Sequence, residues 1–401
     1  MQNFLKRFKN TYIPKLRFKE FNEKWIIDSV ENIFKITRGL VVAKNKIAKE
    51  KNSNFPYPVY SSQTQNRGLM GYYSDYLYED AITWTTDGYA GIVHYRDEKF
   101  YCTNVCGVLL KKKYQPNLCI AKIIGKETKK YVIKDLAIPK LMNNVMAKIK
   151  IIFPSLIQEQ NKISKFIDLL NQQILLLEIK LQLMEQKIKY FLKILLTKKQ
   201  QNCKIRFKNF NNDLEIKKIY EITTFIKSGG TPKSKNSLYY TDDQGINFLA
   251  IPDMKNKYLL KTTKHITKLA LENSSTFIFE KNNLLYSIYA TIGEICINRI
   301  DVALPQSVLG IKVNHLVVKE YLYYLLASNK EKIIKLSQTG SQPNLSLKIF
   351  KDIKLLITTD KNEQIKISKF LGILDYQKFL IKRKIKKIKK RNLFYSKKIF
   401  I

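Results

Sequence analysis

The residues able to do chemistry in this 401-residue chain are scattered rather than grouped. His94, His265 and His315 lie far apart with no metal-ligand spacing. Cys102, Cys106, Cys119, Cys203 and Cys296 are odd in number and form no C-x-x-C pair, so neither a disulfide framework nor a zinc ribbon is indicated. His94 with Cys102, Cys106 and Cys119 can be drawn as a metal cluster, but the spacing fits no standard site. Buried apolar thiols are the plainer reading. There is no G-x-x-x-x-G-K-[ST] loop for an ATP-driven motor and no G-x-G-x-x-G loop for a nucleotide cofactor. A [DN]-P-P-[FYW] tetrapeptide for amino-methyl transfer is also absent. Pro252-Asp253 suggests a nuclease carboxylate, yet no further acidic-x-Lys triplet follows within thirty residues. With catalysis unsupported, recognition is the chemistry that remains.

What is recognised should be an anion. Lys plus Arg number 72 against 33 Asp plus Glu, a formal charge of +39, while 45% of residues are hydrophobic and 12% aromatic. That apolar share excludes a disordered basic tail and supports two or three packed domains. The abundance of Lys, Asn and Ile has the flavour of an AT-rich genome, but such codons favour Glu and Asp as well, so the basic excess points to nucleic acid. A membrane surface is the rival. The segment MQNFLKRFKN has no apolar h-region, and nothing approaches the roughly 18 uncharged residues of a spanning helix. A soluble cytoplasmic protein is expected.

The elements that must position the recognising residues come from an internal repeat. Leu16–Phe21 (LRFKEF) recurs as Ile205–Phe210 (IRFKNF), offset 189. Trp84, Gly91, Asn104 and Leu109 align with Tyr286, Gly293, Gln306 and Ile311, offset 202. Glu159–Leu170 (EQNKISKFIDLL) recurs as Glu363–Leu374 (EQIKISKFLGIL), offset 204, with eight of twelve identical. The drift implies a unit of about 200 residues whose second copy carries about a dozen more, mainly between Gly230 and Leu284. Each copy ends in a heptad pattern, whose alternating steps of three and four define a helical seam. The first seam is Ile163, Ile167, Leu170, Ile174, Leu177, Leu181, Met184 and Ile188, on a helix from about Ser155 to Lys198. The second is Ile367, Leu371, Leu374, Ile381, Ile385 and Ile388, with Lys378 and Asn392 also at seam positions. Such a stripe can pack on its own domain, but two matched stripes favour an antiparallel pair. Short β-branched and aromatic runs at 81–86, 92–95, 105–110, 276–279, 284–289 and 307–313 predict strands, and 119–126 and 318–336 predict helices. The expected fold is α+β: two mixed, β-rich domains in a pseudo-twofold arrangement, joined by two long antiparallel coiled-coil helices. The expected boundaries are 1–152, 153–200, 201–356 and 357–401.

Two basic lobes with a rigid helical spacer suit a divided DNA sequence. Ser228-Gly229-Gly230-Thr231-Pro232-Lys233-Ser234, then INFLAIPD at 246–253, ATIG at 290–293 and GSQPNLS at 340–346, form an ordered motif series. On these residues the chain resembles the specificity subunit of type I restriction–modification enzymes over nearly its whole length. Pro58-Val59-Tyr60 and WTTDGYAGIVHY at 84–95 look like a recognition domain of another subtype. The first copy departs from the pattern, with Thr37-Arg38-Gly39 and Ile138-Pro139-Lys140-Leu141 in place of the second copy's Ser228-Gly229-Gly230 and Gln342-Pro343-Asn344-Leu345. The resemblance implies a non-catalytic subunit with two target-recognition domains, each reading half of a bipartite double-stranded DNA site. It further implies that two modification subunits dock on the helices, bind S-adenosylmethionine and flip and methylate one adenine in each half-site. Restriction subunits would add ATP- and Mg-dependent cleavage, and this chain itself would bind no cofactor.

Base-reading residues do not transfer by resemblance, because recognition domains differ in what they read. Physically motivated candidates are Gln63, Thr64, Gln65, Asn66 and Arg67, with Thr86, Tyr89, His94 and Arg96. In the second copy they are Lys233, Ser234, Lys235, Asn236, Asn298, Arg299, Gln342 and Asn344; any one of these is alternatively an ordinary turn or surface residue. Gly229-Gly230 suits a tight turn presenting amides to phosphate, or a plain hairpin. The basic run Lys382–Arg391 suits a phosphate or partner contact, or a solvated helix face. The competing class is a structural nucleoid or scaffold protein that bridges duplexes non-specifically through two basic lobes.

Overall fold

The computed structural model describes residues 14–63, 65–133, 138–196, 198–199, 202–203, 206–211, 214–242, 245–337 and 344–400. Thr64, Ile205 and the stretch 340–343 with Gln342 therefore lie outside the described residues, and of Gln65 only the backbone is described. The chain divides into two compact units: residues 1–178 with 383–401, and residues 179–382. Four helices carry the architecture: α1 (Leu118–Glu127), α2 (Ile157–Leu196), α3 (Lys319–Ser328) and α4 (Lys361–Ile399). The 40 residues of α2 contain no Gly or Pro, so nothing interrupts about 60 Å of helix.

In the first unit Ile26–Ser29 pairs antiparallel with Lys150–Phe153, bringing the start of the recognition domain beside its end. Between them lies an antiparallel sheet ordered Phe34–Arg38, Cys106–Lys111, Ala81–Thr85, Val93–Arg96, beside a three-stranded sheet of Leu69–Tyr73, Tyr57–Tyr60 and Tyr101–Cys102. The core of Trp25, Phe34, Ile82, Trp84, Leu109 and Ile120 is completed by Ile163 and Ile167 of α2 and by Ile399 and Phe400.

The second unit repeats the plan. Leu214–Lys218 pairs with Lys354–Thr358. One five-stranded sheet runs Thr223–Ser228, Val308–Val313, Leu284–Ser287, Ile295–Asn298, Tyr258–Leu259. A second runs Tyr240–Thr241, Lys264–Ile266, Ile246–Phe248, Val302–Ala303, Ile278–Phe279, most of it built from the longer 230–284 segment. Ile82 faces Leu109 in one unit and Leu284 faces Ile311 in the other, as the offset of 202 requires. The helix expected over 318–336 is broken: α3 ends at Ser328 and a short helix Lys330–Ile334 follows, with Asn329 between them turning its amide back to the Leu325 carbonyl.

The repeated sequences meet each other in space. Arg17 donates twice to Glu159, at 2.8 and 2.7 Å, and Arg206 donates twice to Glu363, at 2.9 and 2.6 Å. LRFKEF/IRFKNF and EQNKISKF/EQIKISKF are therefore the two halves of one bidentate clamp at the root of each long helix. The adjacent glutamines do the same: Gln160 donates to the Pro154 carbonyl and accepts from Asn117, while Gln364 donates to the Thr358 carbonyl and accepts from the Val318 amide. Phe166 stacks edge-on with Phe18 and Tyr395, and Phe370 with Phe207 and Phe191.

Along the seams the apolar positions are covered. In the first unit Ile163, Ile167, Ile385 and Ile388 are buried and Leu170, Ile174 and Leu177 half-buried. Asn392 donates to Asn171 at 3.1 Å, and Lys389 pairs with Glu178 at 2.7 Å. In the second unit Ile188, Ile367, Leu371, Leu374 and Ile381 are buried, Leu181 and Met184 half-buried, and Lys382 pairs with Glu185 at 3.3 Å. Lys378 bonds Asp375 on its own helix at 3.2 Å.

Candidate nucleic-acid interface

Each unit holds one loop with the same set of bonds. In the first, the Thr85 hydroxyl donates to the Tyr89 carbonyl and accepts from the Ile92 amide at 3.0 Å. In the second, the Ser287 hydroxyl donates to the Thr291 carbonyl at 2.6 Å and accepts from the Glu294 amide at 2.8 Å. Left-handed backbone falls at Gly88 and Gly91, and at their counterparts Ala290 and Gly293. The alanine adopts it at a cost of about 1–2 kcal/mol. The segment before each long helix holds this loop down, Leu141 donating to the Thr86 carbonyl and Leu345 to the Ile288 carbonyl. Thr86 is consequently buried, its hydroxyl on Asp87, whereas Tyr89 at 63% exposure and Asn344 face solvent.

In the first unit a cationic cluster sits where the two sheets meet. Arg96 is only 4% exposed. Its guanidinium lies 3.5 Å from the centre of the Tyr60 ring and donates to the Thr83 hydroxyl at 3.3 Å and the Arg67 carbonyl at 2.6 Å. Burial lowers its pKa to about 10, leaving it charged at neutral pH. The half-buried His94 stands opposite Thr83 in the ladder. Burial first, then the charges of Arg96, Arg67 and Lys122, push it down to about 3, so it is a neutral imidazole able both to donate and to accept. Arg67, Asn66 and Gln63 are exposed; Arg67 spends one donor on the Tyr95 carbonyl at 3.2 Å and Gln63 donates to the Leu69 carbonyl.

In the second unit Lys233, Ser234 and Lys235 are exposed together, and Asn236 caps the turn Ser237–Tyr239 by accepting from the Leu238 amide at 3.1 Å. Arg299, also exposed, lies 4.4 Å from the Tyr258 ring and donates to Asn282 at 2.6 Å. Asn298 is different. At 0% exposure its amide nitrogen bonds the Phe279, Glu280 and Ile300 carbonyls and its oxygen accepts from the Asn283 amide, so it has nothing left to offer a base. Close packing alone requires glycine at position 229: a Cβ there would stand 1.7 Å from the Leu304 carbonyl oxygen, as one at Gly39 would stand 2.2 Å from that of Cys102. Asp253 is a cap, accepting from Ala250 and Thr263 amides.

Sequence reasoning missed Tyr60, Thr83 and Lys122 of the first cluster. It also missed a second-unit network in which Lys257 donates to the Tyr324 hydroxyl at 2.9 Å and that hydroxyl to Asp375 at 2.8 Å. The alternation that puts Thr83 and His94 in register was visible in the strands; the distant ring beneath Arg96 was not. Cys102, Cys106, Cys119 and Cys296 are free and buried. Among the described residues no group of three His, Cys, Asp or Glu could hold a metal ion, and no helix is long and apolar enough to cross a membrane.

Two β-rich units, each built on paired heptad helices, present exposed cations and amides of the kind that suit an extended polyanion. Residues 22–186 and 211–390 match the model of the type I restriction modification DNA specificity domain, and the chain belongs to that family, the DNA-recognising, non-catalytic part of such systems. It is 28% identical over 268 residues to a Mycoplasma pneumoniae protein named as a type I specificity subunit, covering 66% of this chain and 67% of that one. It is 40% identical over 134 residues to the specificity subunit of a type I restriction enzyme from the same organism, covering 33% of this chain and 40% of the relative. Other relatives of this kind are matched over about half their length. The crystal structure of a type I restriction-modification S subunit from M. genitalium shares the fold, with a TM-score of 0.66 at 15% identity over 97% of this chain and 99% of that one.

Proposed function

We propose that this chain is the specificity subunit of a cytoplasmic type I restriction–modification complex. Each unit reads one half of a bipartite DNA site, and the long helices set the unread interval and dock two modification subunits. The observation that carries this reading is the duplication itself: the same helix-root clamp and the same hydroxyl-held loop occur in both units, beside 72 basic residues against 33 acidic. The exposed apolar residues on the helices supply docking faces, Leu169, Leu175 and Leu176 in the first unit and Ile373, Tyr376 and Phe379 in the second. S-adenosylmethionine, ATP and Mg belong to the partner subunits, where adenine flipping and cleavage occur. The basic run Lys382–Arg391 gives Lys382 and Lys389 to interhelical pairs, and its remaining charges add to the attraction for DNA.

Deleting the chain should abolish methylation at one bipartite adenine motif across the genome, read by methylome sequencing. Exchanging residues 1–150 should change one half of that motif only. Loss of no motif, or binding indifferent to sequence in competition with random DNA when modification subunits are present, would return the reading to a non-specific bridging protein.

A further inference from the structure

Arg96 is an expensive residue to bury, because its charge is met by a ring face, a hydroxyl and a backbone carbonyl. Hydrophobic packing would stabilise the fold with less desolvation, so what Arg96 grips is informative. It grips a strained turn. Asn66, Arg67 and Gly68 follow one another in left-handed backbone, at φ of +48, +56 and +88°. Two consecutive non-glycine residues hold that conformation only when the surroundings impose it. The Ser61 amide donates to the Gly68 carbonyl at 2.8 Å and closes the base of the loop. The Arg67 carbonyl, one residue inside that closure, is held by Arg96 at 2.6 Å. Asn66 and Arg67 are both exposed on this turn, one suited by type to an adenine edge and the other, which keeps donors beyond the one given to the Tyr95 carbonyl, to a guanine edge.

We infer that Arg96 is a positioning residue for DNA reading by the first unit: from its buried seat on Tyr60 it locks the 66–68 turn so that Asn66 and Arg67 present their donors to base edges. The inference rests on the proposed function and assigns that reading to one turn. Thr83 accepts from the guanidinium, and the neutral His94 adds no charge to those of Arg96, Arg67 and Lys122.

The test is the methylated motif produced by the assembled modification complex, with the half-site of the first unit assigned by the exchange of residues 1–150. Arg67→Ala should relax one base position of that half-site, discrimination falling on the order of tenfold. Arg96→Met should relax the same position although the side chain is buried, and Arg96→Lys should give an intermediate loss. The second half-site should be unchanged in all three. An Arg96→Met chain that still assembles and reads the first half-site unaltered overturns the inference, as does equal loss at both half-sites. Should Arg96→Met not fold, Arg67→Ala decides, since it keeps the carbonyl that Arg96 holds: unaltered reading overturns the assignment. A wild-type complex that methylates no bipartite site refutes the proposed function instead, and the two failures are told apart by that control.

Discussion

Glu159 and Glu363 are almost wholly withdrawn from water, each holding an arginine by two bonds, and Glu159 also accepts from the Trp25 ring nitrogen at 3.2 Å. Removing one carboxylate leaves a buried guanidinium uncompensated, which costs about 3–5 kcal/mol. Glu159→Ala is expected to destabilise the first unit and Glu363→Ala the second by that amount, measured as separate shifts in urea denaturation. Gln at either position, which keeps one acceptor, should cost less. A common loss of well under 1 kcal/mol would mean the clamp is ornamental. The repeat showed these residues as matching letters; it did not show that Arg17 and Glu159 touch, because a bond across 142 residues leaves no periodic trace. Asn298 shows the opposite error. Its amide suited a base edge by type, and only its burial reveals four internal bonds.

At the scale of elements, the heptads were legible because a period of 3.5 belongs to a single segment and needs no knowledge of the partner. The strand cores at 81–85, 106–111 and 308–313 were legible for the same reason, whereas the second five-stranded sheet, built from pieces of two or three residues, was legible only at its edge, where the run 276–279 holds the strand Ile278–Phe279. The helices have two faces with different duties, and substitution should separate them. Leu371→Ala on the seam, at 0% exposure, should cost about 2–5 kcal/mol. Leu175→Asp with Leu176→Asp on the outer face should change stability by about 0.5 kcal/mol or less each while sharply reducing co-purification of the modification subunit. Undiminished co-purification would remove the docking role from that face.

For the whole molecule the proposed measuring device is helix length. Deleting one heptad from each of α2 and α4 in matched places shortens both by about 10 Å, close to 3 base-pair steps of B-form DNA. The methylated motif should then tolerate an interval shorter by about that number, with both half-sites intact. An unchanged interval would show that the helices do not set it.

The make-up of the first unit has a consequence for how a cell produces the protein. Residues 179–382 leave the ribosome as one uninterrupted stretch carrying everything their unit contains, while the earlier-made unit awaits Tyr395 and Ile399 of α4 and Phe400 just beyond it. The nascent chain thus reverses the usual amino-to-carboxyl order of domain completion. Its first-synthesised core stays open, with Trp25, Ile163 and Phe166 lacking their last neighbours, until residues 395–400 have emerged.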